Sequence, residues 1–212
     1  GAAPITSDTW NSALWSAYSA VQAAREVMCG ARACYALARP PGHHATKDMA
    51  GGFCYLNNSA IAAQELRSQH GRVAILDVDV HHGNGTQNIF YDRDDVLTVS
   101  LHADPVRFYP FFWGGADEGG EAAGEGFNLN LPLARGTADA EYLVALDRAI
   151  ARIDGFDPGA LVVALGLDAF VGDPFAGLAL STEGFGLVAQ RIEALRLPTV
   201  LVQEGGYPCE QL

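Results

Sequence analysis

The residues best equipped for chemistry crowd into one run, "ILDVDVHHGNGT", Ile75 to Thr86, where Asp77, Asp79 and His81 recur at every second position. Residues two apart on a strand share a face, so these three side chains are expected to project together where the strand ends. Carboxylates removed from water are costly unless something positive meets them. Buried Arg or Lys could neutralise them, and so could a bound cation. A further carboxylate, Asp168, follows the apolar run "ALVVALGL", and Asp79, His81 and Asp168 then make a set of two aspartates and one histidine. Three protein ligands with one open position is the pattern of a catalytic zinc. Its mixed oxygen and nitrogen donors also admit Fe2+, Co2+ or Mn2+. No HExxH is present, which excludes the helix-borne zinc protease pattern.

The tandem pair His43–His44 and Tyr207, in "QEGGY", complete the unusual polar residues. Each has an ordinary reading. Two histidines in a Gly/Pro loop are most often exposed, Asp168 could cap a turn, and Tyr207 could be a surface aromatic. Their shared placement decides otherwise, because all follow apolar runs and so fall at the carboxyl ends of strands, where open parallel sheets bind ligands.

The elements that would position them alternate between two periodicities. Trp10, Leu14, Val21 and Met28 predict an opening helix after the caps Ser7 and Asp8. "CYAL" (Cys34–Leu37) predicts a strand, residues 59–69 a helix, and "RVAILDVDV" a strand apolar enough to be covered on both faces. A strand at Val96–Leu101 and a long Gly-, aromatic- and acid-rich loop, Ala103–Gly126, follow; loops of that length are usually functional. Helices at Asp139–Ile153 and Thr182–Leu195 each lead into a strand, "ALVVALGL" and "TVLVQ". The class is therefore α/β with a mainly parallel sheet.

The chain has 212 residues, 49% of them hydrophobic, enough for a single domain spanning residues 1–212 with a full core. Cys29, Cys34, Cys54 and Cys209 show no CxxC spacing, which suggests free thiols and a cytoplasmic protein. The start carries no apolar signal core, and no run is long enough to cross a membrane. The formal net charge of −12 argues against nucleic acid as a partner and is compatible with a small cationic substrate, although solubility alone explains it and is the commoner reason.

"RPPGHHA", "GGFCYLNN", "LDVDVHHGNGT", "VSLH", "LGLDAFVGDP" and "QEGGY", in this order from Arg39 to Tyr207, resemble the zinc-dependent deacetylases, the family of histone deacetylases and acetylpolyamine amidohydrolases. The loop "HADPVRFYPFFWGGADEGGEAAGEG" looks most like the bacterial acetylpolyamine branch. The resemblance implies a three-layer arginase/deacetylase-like fold. It implies zinc on Asp79, His81 and Asp168, with His44 as general base and acid and His43 as its electrostatic partner. Tyr207 would polarise the substrate carbonyl, Asp77 would stand behind His43 and Asn84 behind His44. Asn84 is Asp in some branches, so His44 is expected to be less basic here. Phe53, beside Gly52, and Tyr109 would wall the substrate tunnel; the second wall is often Phe.

The resemblance further implies a structural K+ on Asp77, Asp79, Ser100 and the carbonyls of His81 and Leu101, and a second near Phe90, Arg93 and Val96. The implied reaction is hydrolysis of acetylated primary amines, acetylpolyamines favoured, with acetyl-lysine proteins as the alternative. The acids Asp104, Asp117, Glu118, Glu121 and Glu125 are expected to border the mouth of the site and attract cationic substrate. A ureohydrolase with two manganese ions is disfavoured because Gly83 stands where a further Asp is required. A binding domain without activity is disfavoured because all the catalytic candidates are intact. Relative to the family, the chain is expected to lack N-terminal and C-terminal segments, including a loop that bears on a homo-oligomeric state.

Overall fold

Six segments, five of them apolar runs, become the strands of one sheet in the computed structural model, which describes residues 3–210. They are β1 (Ala33–Ala36), β2 (Val73–Asp77), β3 (Val96–Ala103), β4 (Asn128–Leu133), β5 (Ala160–Leu165) and β6 (Thr199–Gln203). Every pairing is parallel, and the order is β1-β6-β5-β2-β3-β4. The helices are α1 (Thr9–Met28), α2 (Asn58–Leu66), α3 (Asn84–Phe90), α4 (Asp139–Phe156) and α5 (Thr182–Glu193).

Strand alternation feeds two cores, one on each face. Val73 and Ile75 of β2 pack with Ala20, Ala24, Ala63 and Leu66 of α1 and α2. Ala74 and Leu76 pack with Leu146, Ala149 and Ile153 of α4 and Val188 of α5. All five residues of β2 are buried, as expected of a strand covered on both sides. The result is the expected three-layer α/β arrangement.

Several details differ from expectation. β1 lies one residue earlier than "CYAL", and β2 stops at Asp77 instead of continuing to Val80. β5 ends at Leu165, so Asp168 lies beyond it. Strand β4 and helix α3 were not anticipated, because "NLNLPL" alternates with asparagine and "NGTQNIF" opens with poor helix formers. In α1 the buried stripe is Ala13, Ala17, Ala20, Ala24 and Val27, while Trp10 is 61% exposed. Small side chains let α1 approach α2 closely, so size, not hydrophobicity, chose the inner face.

The strand order positions the site. The chain runs from β2 outward through β3 to β4, then returns to lay β5 on the other side of β2. Connections leaving β2 and β5 therefore diverge and open a crevice between their carboxyl ends, the switch point where such sheets bind ligands. Among the described residues, no helix is long and apolar enough to cross a membrane.

Candidate metal centre and active site

Beyond Asp77 the chain does not continue as a strand. Asp77 Oδ1 accepts from the N–H of Asp79 at 3.1 Å, and Asp79 Oδ1 from the N–H of His81 at 2.8 Å. These are two successive side-chain-to-backbone turns, the local structure aspartate favours. Asp77, Asp79 and His81 do converge, then, but through turns and not through a shared strand face. Asp168 arrives from the β5 side, its Oδ1 accepting from the N–H of Val80 at 3.0 Å.

One nitrogen or oxygen from each of Asp79, His81 and Asp168 lies within 4.8 Å of the others, and all three residues are buried. His81 Nδ1 stands 3.0 Å from Asp79 Oδ1 and 3.3 Å from Asp168 Oδ2. Asp168 Oδ2 has no hydrogen-bond partner, an orphaned carboxylate oxygen in a buried site. Burial and the charge of Asp79 push the Asp168 carboxyl up to about 6. Burial opposes charge on His81, yet Asp168 and Asp79 raise it to about 9. The set therefore calls for positive charge, which a proton on His81 or a metal ion can supply, and binding the ion would release that proton. Its donors suit zinc or a similar divalent ion.

Backbone contacts lock the tandem histidines in front of this set. The N–H groups of Gly85 and Thr86, at the start of α3, donate to the carbonyl of His43. His43 Nδ1 lies 2.9 Å from Asp77 Oδ2, and His44 Nδ1 lies 2.7 Å from Asn84 Oδ1. The two environments drive the rings apart. Burial disfavours charge on both, but Asp77 and Asp79 overcome it at His43, which is raised well above the usual imidazole range. At His44 burial with the nearby His43 and His81 outweighs the pull of Asp79 and the Asn84 amide and holds it well below that range.

The aromatic residues also assemble. Phe108 stacks on His81 at 4.9 Å, and Tyr109 meets His44 edge-on at 4.8 Å. Gly52 is confined between His44 and Tyr109, where an added Cβ would collide with both rings, so it can only be glycine. Phe53, at φ 64°, and Tyr207 line one cavity of about 820 Å³. Phe175 packs on Tyr207 at 4.5 Å, and Asp173 accepts from the Tyr207 N–H. Burial and the carboxylates Asp79 and Asp168 raise the Tyr207 hydroxyl above its ordinary value. Ser100 is the register partner of Asp77 across β2 and β3, with Leu101 buried beside it.

Reading the sequence missed three groups. Glu204, fully buried, accepts from the N–H of Gly42 and His43 and from Ser59 Oγ, and burial lifts it to about 7. A Glu directly after "TVLVQ" carries the same signal as Asp77. Asp173 and the buried pair His82–His102 had no local signal. The expectation that the loop acids border the mouth of the site fails for Glu118, which instead accepts from Gly114, Gly115 and Gln87, and for Glu121. Glu118 and Glu121 line a separate groove with Lys47, Asn84 and Trp113.

Known proteins resemble this chain over its whole length. The chain is 54% identical over 212 residues to an acetylpolyamine amidohydrolase of Burkholderia pseudomallei, matching all of this chain and 62% of that protein. It is 51% identical to acetylpolyamine amidohydrolase 1 of Pseudomonas aeruginosa, over 99% of this chain and 61% of the relative. A histone deacetylase-like amidohydrolase of the same species is 44% identical over 97% of this chain and 56% of its own length. The crystal structure of acetylpolyamine aminohydrolase from Burkholderia pseudomallei superposes with a TM-score of 0.96 at 55% identity, covering 98% of this chain and 60% of that one. The HDA15 HD domain superposes at 0.87, with 36% identity, over 91% of this chain and 56% of the other. The chain thus spans about three fifths of the length of these relatives. The histone deacetylase domain matches residues 1–212 from end to end, and this chain belongs to that family.

Proposed function

We propose that this chain is the catalytic domain of a zinc-dependent deacetylase that hydrolyses small acetylated amines, acetylpolyamines foremost, to acetate and a free primary amine. The convergence of the orphaned Asp168 Oδ2 with Asp79 and His81, beside two histidines of opposite proton affinity, carries the reading. Asp79, His81 and Asp168 would hold the ion. When bound, it supplies Lewis acidity, polarising an amide carbonyl and acidifying water.

The chain's own groups supply the proton traffic. Asn84 Oδ1 is an acceptor only, so His44 keeps its proton on Nδ1 and presents Nε2 as a free base. With its affinity lowered, His44 is neutral at pH 7 and takes a proton from the attacking water, then returns it to the departing amine. His43, held as a cation by Asp77 and Asp79, keeps the site's charge in balance without competing for that proton. The Tyr207 hydroxyl retains its proton and donates to the developing oxyanion, usually the largest catalytic contribution. Phe53 and Tyr109 exclude water from the acyl-bearing chain.

The substrate class rests on the relatives at 48–54% identity that are named acetylpolyamine amidohydrolases. A K+ beside Asp77 and Ser100, a cytoplasmic setting for four free thiols, and a homo-oligomer belong to the same proposal. The test is zinc content together with turnover of acetylputrescine, acetylspermidine and acetyl-lysine peptides. One zinc per chain and higher kcat/KM on the polyamines are expected. Tyr207→Phe should retain zinc and lower kcat by about 10²–10³-fold. Turnover by zinc-free protein would overturn the mechanism, and preference for the peptides would overturn the substrate.

A further inference from the structure

Glu118 lies between β3 and β4 among surface acids, yet its carboxylate is committed to neighbouring groups. Oε1 accepts from the backbone N–H of Gly114 and of Gly115, both at 3.0 Å, and Oε2 accepts from Gln87 Nε2. Gln87 Oε1 in turn accepts from Asn128 Nδ2 at 3.1 Å and Asn130 Nδ2 at 2.8 Å. It also accepts from His82 Nε2 at 3.0 Å, next in the chain to the ligand His81. Gly114 is held a second time, its carbonyl accepting from Nε2 of the buried His102. Glu118 therefore ties its loop to α3, to β4 and to the turn carrying the metal ligands.

The segment it holds is strained. Phe111 and Phe112 have φ of 55° and 60°, a region bulky residues occupy only when their surroundings impose it. Within that segment the Phe111 N–H donates to the Phe108 carbonyl at 3.0 Å and the Trp113 N–H to the Phe111 carbonyl at 2.7 Å. An unbroken path thus runs from Glu118 through Gly114 to the rings that cover His81 and His44. We propose that Glu118 is a positioning residue for specificity: by clamping Gly114 and Gly115 to Gln87, it sets where Phe108 and Tyr109 stand over the metal centre. It thereby sets which acyl-amine fits between Tyr109 and Phe53. The proposal rests on the hydrolase reading above.

A surface charge and a clamp predict different behaviour. Glu118→Gln removes the charge but keeps an acceptor for Gly114 and Gly115, whereas Glu118→Ala removes both. The experiment uses the whole zinc-loaded chain and reads trypsin cleavage after the exposed Arg107, kcat and KM on acetylputrescine, and zinc content. Glu118→Ala should speed cleavage about tenfold, the scale of losing hydrogen bonds to a charged group in a locally opening segment. It should lower kcat/KM about tenfold, chiefly through KM, with zinc retained. Glu118→Gln should stay within about threefold of wild type on both readouts, since it keeps the backbone bonds. In a Tyr109→Ala background the effect of Glu118→Ala should shrink to within about twofold, because coupled residues are not additive. A Gln variant as impaired as Ala and rescued by changing salt, or fully additive losses, would overturn the clamp. If Glu118→Ala does not fold, the Gln variant and its salt dependence decide alone. Absence of wild-type turnover would sink the hydrolase reading, leaving the proteolysis comparison to judge the clamp.

Discussion

The turn after β2 and the loop after β3 leave adjacent strands at the same sheet edge, yet they are held by opposite means. The turn, Asp77 to Asn84, is buried throughout and fixed by carboxylates that accept from backbone two residues ahead. The loop, Asp104 to Gly126, is largely exposed, with Phe112 95% accessible, and depends on a few anchors such as Glu118 and His102. Metal ligands must hold their geometry to a fraction of an ångström, so rigid local bonding suits them. Under the proposed function the loop would only have to exclude and admit substrate, and a loop with two left-handed phenylalanines would suffice.

The sharpest way to break this comparison is to remove a ligand. Asp168→Ala should abolish measurable zinc binding and lower kcat/KM at least about 10³-fold, since open sites have no ligand to spare. Atomic absorption of the purified variant checks it, and a retained equivalent of zinc would refute the assignment.

A change within the turn that spares the ligands should act through pH. In Asn84→Asp a carboxylate replaces the amide behind His44 and favours its charged form. The acid limb of kcat/KM reports loss of the free base as pH falls, so raising the pKa of His44 should move that limb upward, by about one pH unit. An unmoved limb would show that His44 is not the base.

The smallest effect belongs to the loop's exposed charges. Asp117→Asn with Glu121→Gln should raise KM for acetylspermidine only about two- to threefold at low salt, and not at all at high salt. A tenfold or salt-independent change would make these acids direct substrate contacts and erase the contrast between loop and turn.

Much of this was legible in advance. An aspartate pair inside "ILDVDV" is costly enough to call for a positive partner, so Asp79 and His81 stood out within a dozen residues, whereas His43, His44 and Tyr207 were singled out only by their shared placement after apolar runs and by the family resemblance. Glu118 misled because a carboxylate among Gly, Asp and Glu looks solvated; only the fold brings Gln87 and two backbone amides to it. Trp10 marked the helix but not its inner face, because periodicity does not say which helix face meets a neighbour close enough to require alanine.

By itself the sequence determined which residues are the candidate ligands, the strands they follow and the edge on which they emerge. These follow from local costs: burying charge, alternating side chains, bending the chain at glycine. The tertiary structure alone decided that β5 lies beside β2, bringing Asp168 to Asp79 and His81. It alone left Asp168 Oδ2 without a partner, and it alone joined Glu204 to His43 and Glu118 to Gln87. Those facts depend on which distant strands pair and how closely layers pack, free-energy terms shared by the whole sheet and written in no single stretch of chain.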